Sequence, residues 1–245
     1  MPSPDAAGPE QGSEPNPWPA MAEHMGAAYL RYSFTKGTEQ EVAFLVGELG
    51  LCPGMRVLDV GCGPGRHAHA LGRRGIEVVG VDIAERFIEV AREMAPAGVT
   101  FEMADAARLG YDAEFDAVIS LCQGAFGLAG DDHAVLDGIH RALKSGGRVA
   151  LTAFSAYFQV RWLEETDTFD AATGVNHEPT EVRDESGATC AADLWTTCTT
   201  PKELRLMFEH AGLTVDEIWS VEPGCYERRP PSIDTPEFLV IGTLH

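Results

Sequence analysis

Three carboxylates each stand at the end of a short β-branched run. Asp59 lies in Arg56-Val57-Leu58-Asp59-Val60, Asp82 follows Glu77-Val78-Val79-Gly80-Val81, and Asp105 comes just after Val99-Thr100-Phe101-Glu102-Met103. The first run enters Gly61-Cys62-Gly63-Pro64-Gly65 directly, and a helical pattern follows. Alternating glycines permit positive φ and remove the Cβ atoms that would hold a ligand off the backbone. A ligand crevice of this kind opens at the C-terminal edge of a parallel sheet. A carboxylate at position 59 would repel a pyrophosphate but can engage an ammonium group. A dinucleotide fingerprint would also need a small residue at position 66 for close helix packing, and this chain has Arg66. One crevice lined by three acids can therefore read several parts of one non-dinucleotide ligand.

The elements that must position these residues alternate between β-branched runs and amphipathic stretches, which is the pattern of βαβ units. Further runs read as strands at Ala117–Leu121, Arg148–Thr152, Leu213–Val221 and Glu237–Leu244. Helical patterns cover about 65–74, 84–95, 131–144 and 201–211. Lys144 and the Gly146-Gly147 pair suit a helix C-terminus. Thr199-Thr200 ahead of Pro201 suit an N-terminus. The expected fold is α/β: a Rossmann-like, mostly parallel seven-stranded sheet with helices on both faces. Residues 1–20, rich in proline and acids, are expected to form a disordered tail, and 21–245 a single domain. Within that domain, 21–50 are expected to form a helical lid. Residues 154–197 form an insertion with a hairpin around Asp184-Glu185-Ser186-Gly187, placed to cap a site.

On its acidic residue plus G-x-G-x-G turn, with Asp82 and Asp105 in the matching places, the sequence resembles the class I S-adenosylmethionine-dependent methyltransferases of small-molecule type. The resemblance implies an antiparallel last strand, S-adenosylmethionine as donor and S-adenosylhomocysteine as product. It implies that Asp59, Gly61, Cys62, Gly63, Gly65, Asp82, Ile83, Asp105, Ala106 and Leu121 bind the donor. In that family Asp82 would take the ribose hydroxyls and Asp105 would approach the adenine amino group. The segment Leu121-Cys122-Gln123-Gly124 lacks an N-P-P-Y type motif, which favours a small acceptor over a protein or nucleic acid. Gln123, Tyr32 of the aromatic group Tyr29, Tyr32 and Phe34, and His177 beside Glu178 are the candidates for acting at the reacting atoms. Because the donor already carries a reactive methyl group, alignment counts for more than a base. Two other readings stay open, a non-catalytic protein that binds the same donor or its product, and a nicotinamide-dependent oxidoreductase.

Composition bounds the partners. Acids outnumber bases 38 to 18, for a net charge of −20, which disfavours a nucleic-acid partner. No apolar run is long enough for a membrane span, and the N-terminus lacks the pattern of a signal peptide, so a soluble cytoplasmic protein without membrane attachment is expected. The six cysteines show no metal-ligand spacing, and no metal is expected. A small-molecule acceptor is the expected partner, and homodimerisation through the N-terminal helices or the insertion is possible.

Overall fold

The computed structural model describes residues 16–122, 124–128 and 130–245. The elements in chain order are α1 Trp18–Met25, α2 Thr38–Leu49, β1 Arg56–Val60, α3 Arg66–Gly72, β2 Glu77–Asp82, α4 Glu85–Glu93, β3 Val99–Met103, β4 Phe115–Ser120 and α5 Asp132–Ala142. They continue as β5 Leu143–Ser155, α6 Ala156–Arg161, β6 Thr168–Asp170, β7 Val175–Arg183, β8 Thr189–Thr199, α7 Pro201–His210, β9 Thr214–Val221 and β10 Glu237–Thr243.

Strands β3, β2, β1, β4 and β5 lie side by side and parallel. β10 inserts antiparallel between β5 and β9, which completes the seven expected strands. Side chains alternate across the sheet, as the period of two requires. Val57, Ala117 and Ile119 face α2, α3 and α4, while Leu58 and Val118 face α5 and α7. Each face is a continuous apolar core, so strands that are apolar throughout are buried on both sides.

Local chemistry sets the helix ends. Asp131 caps α5 through the Ala134 N–H, and Thr200 with Glu203 forms a reciprocal capping box at α7, with Pro201 in its first turn. The expected glycine stop after α5 takes a different form. α5 ends at Ala142, and Leu143 is already extended. Gly146, at φ 77°, instead reverses the chain inside β5, where its N–H meets the Leu244 carbonyl at 2.7 Å. Lys144 pairs with Asp116 at 2.7 Å rather than with the helix terminus.

The insertion leaves the end of β5 through α6 and returns through the antiparallel ribbon β6–β7–β8. β8 rejoins the sheet only at Phe154↔Cys198 and Ser155↔Thr199. The β7–β8 turn falls at 184–188, where the Asp184 carboxylate accepts the N–H groups of Ser186 and Ala188. The tip reaches the N-terminal segment. Arg31 donates to the Glu185 carbonyl at 3.1 Å, and His24 Nε2 lies 3.2 Å from the Ala188 carbonyl. Met21, Met25, Phe87 and Val182 share a small core there, with Tyr29, Tyr32 and Leu194 packed against it. α1 begins at Trp18, inside the stretch expected to be tail, whereas residues 1–15 lie outside the described residues. No helix among the described residues is long and apolar enough to cross a membrane.

Candidate functional site

The glycine turn leaves β1 at the sheet's C-terminal edge, beneath the N-terminal segment. Gly61, Gly63 and Gly65 all adopt positive φ, at 71°, 52° and 79°. The space around them differs. A Cβ on Gly61 would overlap the Gly124 backbone, and one on Gly65 would strike the Phe101 ring at 2.7 Å, whereas one on Gly63 would meet only Tyr29 at 4.0 Å. Gly63 therefore opens toward ligand space, Gly61 admits the loop after β4, and Gly65 seats α3 on β3.

A partly open cleft follows this edge. Its lining includes Gly61, Gly63, Asp82, Ile83, Asp105 and Ala106 from the expected set. Asp82 is 8% exposed and accepts the Gly63 N–H and the Ala84 N–H, each at 2.8 Å. It thus pins the turn, and burial raises its pKa above the usual carboxylate value. A carboxylate has about four acceptor positions, so Asp82 can still accept from a ligand hydroxyl. Asp105 also lines the cleft; its Oδ1 accepts the Ala107 N–H at 3.0 Å, and its Oδ2 lies 3.6 Å from Arg108 Nε.

Asp59 lies below the cleft at 1% exposure. Burial, reinforced by the neighbouring Asp82 charge and opposed by Arg66, raises its pKa to about 7. Its Oδ2 is buried without a hydrogen-bond partner. Cys62 and Leu121 are buried in the core facing α2, α3 and α4, and with Gly65 they support the cleft rather than line it.

Of the three candidates for the reacting atoms, Tyr32 and His177 do not line the cleft. Gln123 lies outside the described residues. The Tyr32 hydroxyl accepts the Arg183 N–H at 3.1 Å, tying the N-terminal segment to β7, and Tyr29 lines the cleft in its place. The two rings stay together, with centroids 6.3 Å apart, and what separates their roles is the partner that the Tyr32 hydroxyl finds on β7. Tyr29 is wedged edge-on against Phe87 and Phe34, with centroids at 4.9 and 5.4 Å. Replacing Tyr29 by alanine is expected to weaken donor binding about tenfold, while Tyr32→Phe leaves it unchanged and loosens the β7 contact by roughly 1 kcal/mol. Calorimetric titration with S-adenosylhomocysteine, alongside amide exchange at Arg183, checks both.

His177 stacks on Trp195 at 4.7 Å, and its Nε2 lies 2.7 Å from Asp193. Adjacent residues of a strand point to opposite faces, so His177 and Glu178 cannot act as one pair.

Sequence reasoning missed Trp18, Phe87, Leu128 and Asp131 in the lining, and it assigned Cys122 no role. Cys122 follows β4 at φ 52°, a left-handed conformation uncommon for a side chain. Its N–H is held by Thr152 at 2.7 Å, and its Sγ receives Arg66 Nη2 at 2.7 Å. Arg66 also donates to Glu41 at 2.5 Å, and Glu41 further accepts from His67 at 2.8 Å and from the Gly224 N–H at 2.7 Å. Glu41, His67 and Cys122 could gather around a metal ion, but the Arg66 guanidinium occupies the space between Glu41 and Cys122.

Residues 51–212 match the methyltransferase domain family over most of the chain. The chain belongs to that family. Among curated relatives, this methyltransferase domain is 37% identical over 119 residues to an S-adenosyl-L-methionine-dependent Diels-Alderase of Talaromyces variabilis, covering 44% of this chain and 39% of that protein. It is 38% identical over 135 residues to the 27-O-demethylrifamycin SV methyltransferase of Amycolatopsis mediterranei, covering 52% and 47%. The chain thus spans about half, or less, of the length of these two relatives. Among solved structures, the CcbJ methyltransferase of Streptomyces caelestis superposes with a TM-score of 0.74 at 21% identity, over 92% of this chain and 98% of that one. The S-adenosylmethionine-bound amino pentose methyltransferase CalS10 of Micromonospora echinaspora gives 0.63 at 22% identity, over 89% and 95%. These likenesses extend the methyltransferase fold over nearly the whole chain.

Proposed function

We propose that this protein transfers a methyl group from S-adenosylmethionine to a small molecule, and that the cleft under Tyr29 holds the donor. The single observation that carries this reading is Asp59 Oδ2, a buried carboxylate oxygen with no hydrogen-bond partner under an open glycine turn. The donor's ammonium group supplies the N–H donor and the charge that this oxygen lacks. The remaining acceptor capacity of Asp82 suits a ribose hydroxyl, and Asp105, which lines the same cleft, suits an exocyclic amino group. Ile83, Ala104, Ala106 and Val135 provide an apolar slot for the base. The residues present therefore fit the donor's chemistry. Mapped against the curated relatives, this activity is supported by the rifamycin methyltransferase, which acts on a small molecule by its name.

When bound, the donor supplies a sulfonium whose methyl group is open to in-line attack, and the protein's part is alignment and exclusion of water. Trp18, Tyr29 and Phe87 roof the cleft, so the N-terminal segment acts as a lid and the β7–β8 tip holds it down. Cys122 is the sulfur on the cleft wall. Burial, only partly offset by Arg66, raises its pKa to about 12. At neutral pH it is a thiol rather than a thiolate, which keeps a competing nucleophile away from the methyl group.

Asp82→Asn is expected to weaken S-adenosylhomocysteine binding about tenfold to a hundredfold, since charge-assisted hydrogen bonds contribute roughly 1.5–3 kcal/mol. Calorimetric titration measures this, and unchanged affinity in a folded variant removes the ribose assignment. Because one relative is named a Diels-Alderase, the reading as a methyltransferase stands on detection of methylated product by mass spectrometry, not on donor binding alone.

A further inference from the structure

A second concavity lies beyond the loop that follows β4. α6, the base of the β6–β7–β8 ribbon and the N-terminal half of α7 enclose a groove of about 840 Å³, within the roughly 300–1,000 Å³ of small-molecule sites. Ala156, the first residue after β5, lines it, as does Thr199, which pairs with Ser155 at the end of β5. The groove therefore lies at the C-terminal edge of the parallel strands, the edge that also carries the donor cleft.

One loop walls both spaces. Thr197 lines the groove and donates its N–H to the Gly127 carbonyl at 2.9 Å, while Ala125 and Leu128 of the same loop line the cleft. Asp132 Oδ1 accepts the Gly127 N–H at 2.8 Å and holds the loop between them.

The groove gathers large apolar side chains that the fold leaves open to solvent. Tyr157 and Val160 of α6, Leu206 of α7 and Ile233 are 45%, 58%, 55% and 48% exposed, and they meet here from three segments of the chain. Scattered surface apolar residues need no account, but a group of them around a concavity marks an interaction site. Charge sets the kind of ligand. Among the described residues, Arg161 and Glu203 are the charged members of the lining, and each is engaged. Arg161 Nη1 lies 3.4 Å from Asp234, and Glu203 accepts the Thr200 N–H at 2.7 Å in the α7 capping box. An ammonium would have to open that cap to reach Glu203, and the net charge of −20 opposes an anion. The concave shape fits a small molecule better than a second copy of this chain, because a two-fold interface is self-complementary and two grooves laid together leave a void.

We propose that this groove holds the uncharged, apolar body of the methyl acceptor, next to the donor across the 124–128 loop. This rests on the methyltransferase reading above. It narrows the acceptor from any small molecule to an apolar, uncharged one, and it selects against carboxylated, phosphorylated and cationic compounds.

The test uses the full chain saturated with S-adenosylhomocysteine, titrated by fluorescence with phenylnaphthylamine, an uncharged apolar probe, and with its sulfonated counterpart anilinonaphthalenesulfonate. The neutral probe is expected to bind at one site and ten times or more tightly than the sulfonate. Val160→Asp and Leu206→Asp, each placing a charge in the apolar lining, are expected to weaken it at least tenfold with S-adenosylhomocysteine affinity unchanged. With S-adenosylmethionine and a panel of phenols and amines, methylated products are expected from the neutral apolar members, and both variants should raise KM for them at least fivefold. No saturable binding of the neutral probe, equal binding of the two probes, or binding that survives both substitutions overturns the proposal. Products confined to charged compounds, or no product while probe and S-adenosylhomocysteine both bind, removes the acceptor role. Loss of probe binding as the chain dimerises, seen by sedimentation, assigns the groove to a second copy and overturns the proposal too. Failure of S-adenosylhomocysteine itself to bind brings down the donor reading, which the probe titration alone does not touch.

Discussion

Replacing Glu41 by alanine is expected to destabilise the protein by about 3–5 kcal/mol, the range for removing one partner of a buried ion pair. Glu41 is fully buried and accepts from Arg66, His67 and the Gly224 N–H. Its loss strands a guanidinium at 9% exposure and a backbone N–H at once. For a domain of this size the midpoint of thermal unfolding should fall by about 6–20 °C, measurable by calorimetry at pH 7.5. Glu41→Gln keeps the shape and part of the hydrogen bonding, so its loss should be smaller. If alanine costs under about 1 kcal/mol, Arg66 has found another partner and the network does not hold the glycine turn to α2.

The pH dependence of this network has a definite sign. Burial, with the Arg66 charge adding to it, lowers the His67 pKa to about 4, below the reference near 6.5. Between these values the unfolded chain binds more protons than the native one. Stability from the neutral histidine is therefore fully present above about pH 6.5 and is lost as pH falls toward 4.

Asp59→Asn is expected to move two properties in opposite directions. The pKa of about 7 lies above the unfolded carboxylate value of roughly 3.9, so the native state holds more protons between those limits. Stability from the neutral acid is fully present below about pH 4 and declines as pH rises to 7, where the buried carboxylate ionises. Asparagine stays neutral. At pH 8 the unliganded variant should unfold on the order of 10 °C above the parent protein, an advantage that vanishes near pH 4. With the Asp59 contribution gone, the variant should also show the His67 decline between pH 6.5 and 4 undiluted. S-adenosylhomocysteine binding should weaken by about tenfold to a hundredfold, because the donor's ammonium loses its counter-charge. Thermal scans across pH and calorimetric titration measure both properties. A variant that is no more stable at pH 8 shows that the Asp59 charge is already compensated. Unaltered affinity shows that the ammonium lies elsewhere.

The sheet and its acid series were legible in the sequence because they depend on local periods. A β-branched run with a carboxylate at its end, a glycine turn and an amphipathic helix report their own conformation within about ten residues. Asp82 and Asp105 could thus be assigned to one edge before any coordinates existed. The positive φ and open space at Gly63 were legible for the same reason. The parts that went astray depend on which face a residue presents, or on a partner far along the chain. Tyr29 and Tyr32 are nearly equivalent in sequence and their rings touch, yet Tyr29 lines the cleft while the Tyr32 hydroxyl is taken by Arg183, 151 positions away. His177 and Glu178 are neighbours, yet the pairing of β7 with β8 divides them between faces. Arg66 served as evidence against a dinucleotide, but its partners Glu41 and Cys122 lie 25 and 56 positions away.

What the sequence by itself determined is the order of strands and helices, the donor edge of the sheet and the chemical type of the groups along it. Each of these follows from short-range propensity and alternation. Only the tertiary structure decided that Asp59 Oδ2 is buried without a hydrogen-bond partner and that the β7–β8 tip clasps the N-terminal segment. Those facts are matters of burial and of the company a side chain keeps. Burial depends on contacts between segments more than a hundred residues apart, as between Tyr32 and Arg183, and no local pattern encodes that distance.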